Sequence, residues 1–376
     1  MTVPVLFEEH PAANGTRIGI ATLNAEKSLN ALSLDMVHLL TGKLHAWAGD
    51  ASIALVILQA AGEKAFCAGG DLHNLYRSMR EHHASDARGD VVANRYAADF
   101  FGDEYRLDYL IHTYSKPVLC WGHGIVMGGG VGLMSGASHR VVTEQSRVAM
   151  PEISIGLYPD VGGSWLLSRM PGKTGLFLAL TGAQVRAADA LFVGLADYAL
   201  PQSSKASVLE ALLQQAWTAQ RRDNDALLSQ VLRRFADPAL AVPGPLQKHF
   251  AAINALCGDT DIRRIAAAIA ANDIDDAWLH KASATLAAGS PSSAALAHAL
   301  LQRAQGMLLA DVFRMEYIAS LHCAARHDFA EGIRALLIDK DGKPQWEPAS
   351  LEDVAPETLG SYFAEPAWNR HPLADL

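Results

Sequence analysis

The chain has 376 residues, half of them hydrophobic and 19% charged, with a formal net charge of −9. This is the composition of an ordinary folded protein rather than a disordered one, and the length suits one large domain or two modest ones. The negative balance argues against a nucleic-acid binder but leaves room for an anionic ligand in a local basic pocket.

In chain order, Val3 to Phe7 and Arg17 to Leu23 predict an antiparallel pair turned by Asn14-Gly15. Ser33 predicts an N-cap with Asp35 in the first turn. Met36, Val37, Leu40, Leu44 and Trp47 then recur at helical spacing and predict a core-facing stripe. Ile53 to Gln59 is nearly continuous in apolar residues, as in a strand covered on both faces. The segment Ala65-Phe66-Cys67-Ala68-Gly69-Gly70-Asp71 follows as a loop, with Asp71 ordering it. Leu72 to Met79 predicts a helix, and the polar stretch Arg80 to Gly89 an exposed, mobile lid. His73, His82 and His83 there lack the companion ligands of a metal site. Ala97 to Tyr114 predicts a helix on which Glu104 reads as a surface carboxylate, with reach into the site as the alternative. Lys116 to Trp121 predicts a short buried strand that runs into Gly128-Gly129-Gly130-Val131-Gly132 and a helix.

Two strand-to-loop junctions, each stripped of side chains by glycines, expose backbone N–H groups. Each can supply one donor to an anionic oxygen, which is what an oxyanion hole requires. A bare run of glycines alone would read as a tight turn. Further on, Glu152 and Asp160 sit in apolar, glycine- and proline-rich surroundings, where an unpaired charge is costly. Cys67, Cys120, Cys257 and Cys323 have no metal-ligand spacing and read as buried thiols of a reducing compartment, Cys67 as a packing residue rather than a nucleophile. Met1 to Asn14 lacks a secretory pattern, no uncharged run is long enough to cross a membrane, and the expected setting is the cytoplasm.

The Ala65–Asp71 loop, Gly128-Gly129-Gly130 and Pro151-Glu152-x-x-x-Gly156 together resemble the crotonase (enoyl-CoA hydratase/isomerase) superfamily. Within it, Met150-Pro151-Glu152-Ile153-Ser154-Ile155-Gly156-Leu157-Tyr158-Pro159-Asp160 looks most like the 3-hydroxyisobutyryl-CoA hydrolases. The resemblance implies an α/β fold, a spiral of ββα turns with a helical C-terminal region, where the strand and helix pattern alone would equally suit a doubly wound sheet. It implies hydrolysis of a short branched 3-hydroxyacyl-CoA thioester, as in valine catabolism. Gly70 and Gly129 would be the oxyanion donors, Glu152 the nucleophile or general base, and Asp160 a group that positions substrate or transfers a proton. Ala65, Phe66 and Ala68 would lie beside the adenine, Lys27 near phosphate (a solvated lysine being the alternative), and Gly128 and Gly132 among the substrate-contacting residues. Gly132 stands where hydratases carry a glutamate, which separates this chain from them. No metal or redox cofactor is implied, since coenzyme A is part of the substrate. The partner is acyl-CoA, with no nucleic acid or membrane, and homo-oligomerisation is left open. The nearer alternative is an enoyl-CoA hydratase or isomerase, the further one a non-catalytic acyl-CoA-binding protein.

From about Pro201 alanine and leucine dominate and strand patterns vanish. We therefore expect a spiral core over 1–200 and a helical region over 201–376. One long helix is expected from Ala294 to Cys323, with Leu296, Leu300, Met307 and Leu308 on its apolar face. Arg314-Met315-Glu316-Tyr317 and Asp328-Phe329-x-Glu331-Gly332 add to the resemblance.

Overall fold

The computed structural model describes residues 3–376. It resolves into two compact units, each assembled from separate stretches of chain.

The first unit takes the chain up to Gly70, Leu107–Val148 and Val185–Gln247. Its strands are β1 (Val5–Pro11), β2 (Arg17–Leu23), β3 (Ile53–Ala60), β4 (Ala65–Cys67), β5 (Val118–Gly122), β6 (Ile125–Met127), β7 (His139–Val142), β8 (Arg147–Ala149, ending at the unit boundary) and β9 (Tyr198–Ala199). A six-stranded sheet runs β1-β2-β3-β5-β7-β9 and a three-stranded one β4-β6-β8. Only β1 is antiparallel to its neighbour in the larger sheet. Three successive strand pairs, β3/β4, β5/β6 and β7/β8, thus split in the same way. The first strand of each joins the large sheet and the second joins the small one. A doubly wound fold would feed one strand per crossover into a single sheet, so this split decides for a spiral of ββα turns.

The chemistry of the elements follows the sequence. Helix α1 (Leu34–Gly49) starts where Ser33 accepts from the Met36 N–H, satisfying an otherwise orphaned donor. Its five apolar stripe residues, Met36 through Trp47, are all buried. The β3 run is buried along nearly its whole length, as in a central parallel strand covered on both faces, and it pairs with β2 and β5. One face of the large sheet is covered by the helices Lys205–Leu213 and Arg221–Phe235, whose Val208, Leu212, Leu228 and Val231 pack with Ile57, Leu119 and Trp121.

The second unit takes Asp71–Arg106, Ala149–Gln184 and Lys248–Leu376. It holds helix α2 (Leu72–His83), the start of helix α3 (Arg95–His112), a 3₁₀ turn at Glu152–Ile155 and a series of helices through the C-terminal third. The division expected at residue 200 is not how the chain packs. Residues 149–184 belong with the tail, while 185–247 belong with the sheet.

Two further expectations are corrected here. The helix predicted over 294–323 is two, Pro291–Arg303 and Leu309–Ala324, because Gly306 takes a left-handed turn (φ +79°) between them. Leu308 falls beyond the break and is 72% exposed, while Leu296 and Leu300 are buried as expected. The lid predicted at 80–89 is instead tied down. Helix α2 continues to His83, the His82 Nε2 lies 3.1 Å from the carbonyls of Ala87 and Asp90, and the His83 Nε2 lies 3.0 Å from the Ala324 carbonyl.

Candidate active site

In the first unit, β4 and β6 are parallel neighbours, with Ala65 opposite Ile125 and Cys67 opposite Val126. Their C-terminal ends run directly into Gly69-Gly70 and Gly128-Gly129, the edge at which parallel sheets bind ligands. Gly128 has φ 49° and ψ −123°, a conformation closed to residues with a side chain, and it caps helix α4 (Gly129–Ser135). As the first helical residue, Gly129 has an N–H with no acceptor inside the helix. A Cβ on Gly130 would lie 2.3 Å from the Cys67 carbonyl oxygen, so α4 rests on the β4 loop through a bare backbone.

The loop ahead of Gly70 is clamped by a residue that the motif reading passed over. Asn30 donates to the carbonyls of Ala65 (2.9 Å) and Ala61 (3.0 Å) and accepts from the Ala25 N–H (2.9 Å). Flanking backbone bonds run from the Ala68 N–H to the Leu29 carbonyl and from the Leu32 N–H to the Gly69 carbonyl. Asn30 sits at φ 55°, in the left-handed region that asparagine tolerates better than most residues. Asp71 accepts from the N–H groups of His73 and Asn74, capping α2 as expected of a loop-ordering residue. Ala65 and Phe66 are buried, Ala68 is half-buried, Gly132 lies buried within α4, and Lys27 stands exposed on the 3₁₀ turn Glu26–Ser28. Cys67 is fully buried with its Sγ 3.6 Å from the Gly69 carbonyl, as a packing residue would be.

In the second unit, Glu152 opens its 3₁₀ turn after Pro151, and Gly156 closes it in the left-handed region (φ 74°). The C-terminal helices grip this turn at three points. A Cβ on Gly156 would meet the Asp328 carbonyl oxygen at 2.3 Å, and one on Gly332 would meet the Ile155 backbone at 2.4 Å. The Ser290 N–H donates to the Ile153 carbonyl at 3.0 Å, while the Ser290 hydroxyl donates to Asp328 at 2.6 Å.

Around that turn lies a cluster of buried acids, Glu104, Glu152, Asp160 and Glu316, none more than 4% exposed. Burial, with the Asp160 charge added, holds the Glu152 and Glu104 carboxyls well above the usual range. Burial pushes Asp160 up to about 7 against the Tyr105 hydrogen bond, which pulls the other way. Glu316 rises to about 8 through burial even though it accepts the N–H groups of Gly162 (2.7 Å) and Ser164 (2.8 Å). Like charges this close cannot all ionise together, so the cluster must share protons. One oxygen each of Glu104 and Glu152 has no hydrogen-bond partner, an open valence suited to a ligand. The surface placement expected for Glu104 is therefore corrected. Its helix turns it inward, and it belongs to the cluster.

Tyr105, Tyr158 and Ser320 complete the arrangement. The Tyr105 hydroxyl lies 2.8 Å from Asp160 Oδ2 and 2.7 Å from the Ser320 Oγ, which is 2.8 Å from the Tyr158 hydroxyl. Sequence reading missed this group. Its signal was Glu316 and Ser320, polar residues one turn apart on a helix face otherwise made of Val312, Phe313, Ala319 and Leu321.

The profile of the family described as enoyl-CoA hydratase/isomerase matches residues 18–363. The chain belongs to that family. It is 38% identical over 360 residues to a 3-hydroxyisobutyryl-CoA hydrolase, mitochondrial, of Danio rerio, covering 96% of this chain and 89% of that one. The human protein of the same name is 34% identical over 345 residues, covering 92% and 86%. Among solved structures, a carnitinyl-CoA dehydratase from Mycobacterium thermoresistibile superposes with a TM-score of 0.83 at 34% identity, covering 97% of this chain and 98% of that one. An enoyl-CoA hydratase from Rhodobacter sphaeroides gives 0.80 at 34% identity, covering 96% and 97%. The fold is thus the crotonase spiral expected from the motifs. The cytoplasmic placement is overturned, because the curated relatives named here are mitochondrial proteins. Buried free thiols and the lack, among the described residues, of a helix able to cross a membrane suit any reducing aqueous compartment, so they never discriminated.

Proposed function

We propose that the protein hydrolyses a short 3-hydroxyacyl-CoA thioester, with 3-hydroxyisobutyryl-CoA as its substrate, to the free hydroxy acid and coenzyme A. The observation that carries this reading is the buried acid pair Glu152 and Asp160, combined with glycine at position 132, where the resemblance places the second acid of hydratases. The Gly70 and Gly129 N–H groups receive the thioester oxygen and stabilise the charge that develops on it. Ionised Glu152 then either attacks the carbonyl carbon or takes a proton from the attacking water. On the first route the C–S bond breaks, the thiolate leaves and is protonated, and water cleaves the resulting anhydride. Both routes require Glu152 to be a carboxylate at the moment of reaction. Asp160 stands by to receive the substrate's 3-hydroxyl.

A second reading, addition or removal of water across the acyl chain, is favoured by the names of the two solved structures. Incubation of the wild-type protein with 3-hydroxyisobutyryl-CoA and, separately, with crotonyl-CoA decides between them. Release of free thiol from the first supports hydrolysis. Loss of enoyl absorbance from the second without thiol release supports the hydratase reading, and binding without either change leaves only an acyl-CoA-binding protein.

A further inference from the structure

Five oxygens in the second unit form an unbranched line with four contacts. They are Asp160 Oδ2 to the Tyr105 hydroxyl (2.8 Å), Tyr105 to the Ser320 Oγ (2.7 Å), Ser320 to the Tyr158 hydroxyl (2.8 Å), and Tyr158 to the Glu316 carbonyl oxygen (2.6 Å). Each is a hydrogen-bond distance for O–H···O, so each requires one proton between its two oxygens. The three hydroxyls supply three protons and the carbonyl supplies none. The fourth must come from the carboxyl group.

We infer that the Tyr105–Ser320–Tyr158 hydroxyl line holds Asp160 as a neutral carboxylic acid, so that the reacting negative charge of the acid cluster resides on Glu152. The direction of donation is then fixed along the line, from Asp160 to Tyr105, Ser320, Tyr158 and finally the Glu316 carbonyl. If Asp160 were ionised, Tyr105 would donate to it. One contact further along would then set lone pair against lone pair, among side chains that are all buried. The line ends on a helix carbonyl, which can neither give nor take a proton. It is therefore a clamp on the protonation state rather than a path to solvent.

Burial of Asp160 acts in the same direction. A negative charge on Asp160 acts on Glu104 and Tyr105 from α3, Glu152 from the 3₁₀ turn, Tyr158, and Glu316 and Cys323 from the helix Leu309–Ala324, and raises the pKa of each. Of these, the carboxyls of Glu104, Glu152 and Glu316 compete with Asp160 for negative charge, so a charge on one disfavours a charge on its neighbour. A neutral Asp160 in turn removes one of the causes that raise Glu152. Tyr105, Ser320 and Tyr158 thereby act on the reaction through Asp160, as positioning residues. Only this catalytic consequence rests on the hydrolase reading; the proton assignment does not.

The test is infrared difference spectroscopy of the full-length protein against Asp160→Asn, which isolates the C=O band of a protonated Asp160 from those of Glu104 and Glu152. The wild type should show the band at pH about 6 and lose it as the pH rises. Ser320→Ala and Tyr158→Phe each remove one hydroxyl and with it the unmatched contact, so ionised Asp160 becomes fully satisfied by Tyr105. In both variants the band should vanish at a pH lower by about 1 or more, a tenfold or greater change in the equilibrium. Tyr105→Phe removes the donor to the carboxylate and should move the midpoint upward instead. Opposite directions from neighbouring hydroxyl deletions are not what a general loosening of the core would give. Absence of the band in the wild type, or an unmoved midpoint in whichever of Ser320→Ala and Tyr158→Phe folds, overturns the inference. A wild type that shows the band but releases no thiol leaves the proton assignment standing and removes the hydrolase reading; thiol release without the band does the reverse.

Discussion

A Cβ on Gly332 would lie 2.4 Å from the backbone carbon of Ile155, so the helix His327–Ile333 rests directly on the turn that carries Glu152. A backbone neighbour cannot swing aside as a side-chain tip can. Gly332→Ala should therefore displace the turn and cost about 1–3 kcal/mol of stability, as overpacking typically does. Turnover should fall with it, because the Glu152 carboxylate moves with its backbone. Urea unfolding and steady-state kinetics check both, and wild-type values for the two would show that the contact is not tight.

The same grip predicts the result of truncation. Ending the chain at Ala288 removes Ser290, Asp328 and Gly332 together, along with buried Leu296, Leu300, Phe313 and Phe329. The second unit would lose both its clamp and a large part of its core. The truncated chain should be insoluble or unfold at a much lower temperature, and a soluble, fully active product would contradict this.

Gly129 is the first residue of α4, a position where proline fits the helix while removing the N–H. Gly129→Pro should lower kcat by roughly 10²–10³, the usual effect of deleting one oxyanion donor. Circular dichroism and binding of coenzyme A separate loss of the donor from loss of the fold. A folded, binding variant with normal turnover would remove Gly129 from the mechanism.

Asp160 also makes a stability prediction with a definite sign. Its folded pKa is raised from 3.8 to about 7, so the native state binds the proton more tightly than the unfolded chain does. Its contribution is fully present below pH 3.8 and is lost as the pH rises through about 7. Asp160→Asn keeps a neutral donor at this site at every pH. Above neutrality it should be more stable than wild type by at least ~1 kcal/mol, and the difference should fade in acid. Denaturant midpoints across that range check it, and a variant less stable than wild type in alkali would contradict it.

Much of the fold was legible because its signals are local. Ser33 caps α1, the Met36–Trp47 stripe packs inward, and β3 reads as a continuous apolar run. The glycine pairs could be recognised because a bare backbone leaves few other residues able to stand there. The misses at the candidate site share a different cause, since each is a long-range partnership. Glu104 looks like any helix-surface carboxylate until its helix is oriented, and Asn30 gains meaning only from carbonyls more than thirty residues away. The Tyr105–Ser320 contact spans 215 positions in the chain, and no periodicity encodes it. The unit boundary was missed likewise, because a change in composition near Pro201 marks a change of secondary structure rather than of packing.

The central claim is that Glu152 carries thioester hydrolysis, and thiol release from 3-hydroxyisobutyryl-CoA by Glu152→Gln tests it most directly. Glutamine keeps the size of the side chain but can neither attack the carbonyl nor accept a proton from water, and the loss of a positioned base or nucleophile typically removes 10²–10⁴ in rate. Hydrolysis at saturating substrate should therefore fall by at least about a hundredfold while coenzyme A still binds. Thiol release at the wild-type rate from a folded, sequence-verified Glu152→Gln protein would contradict the account.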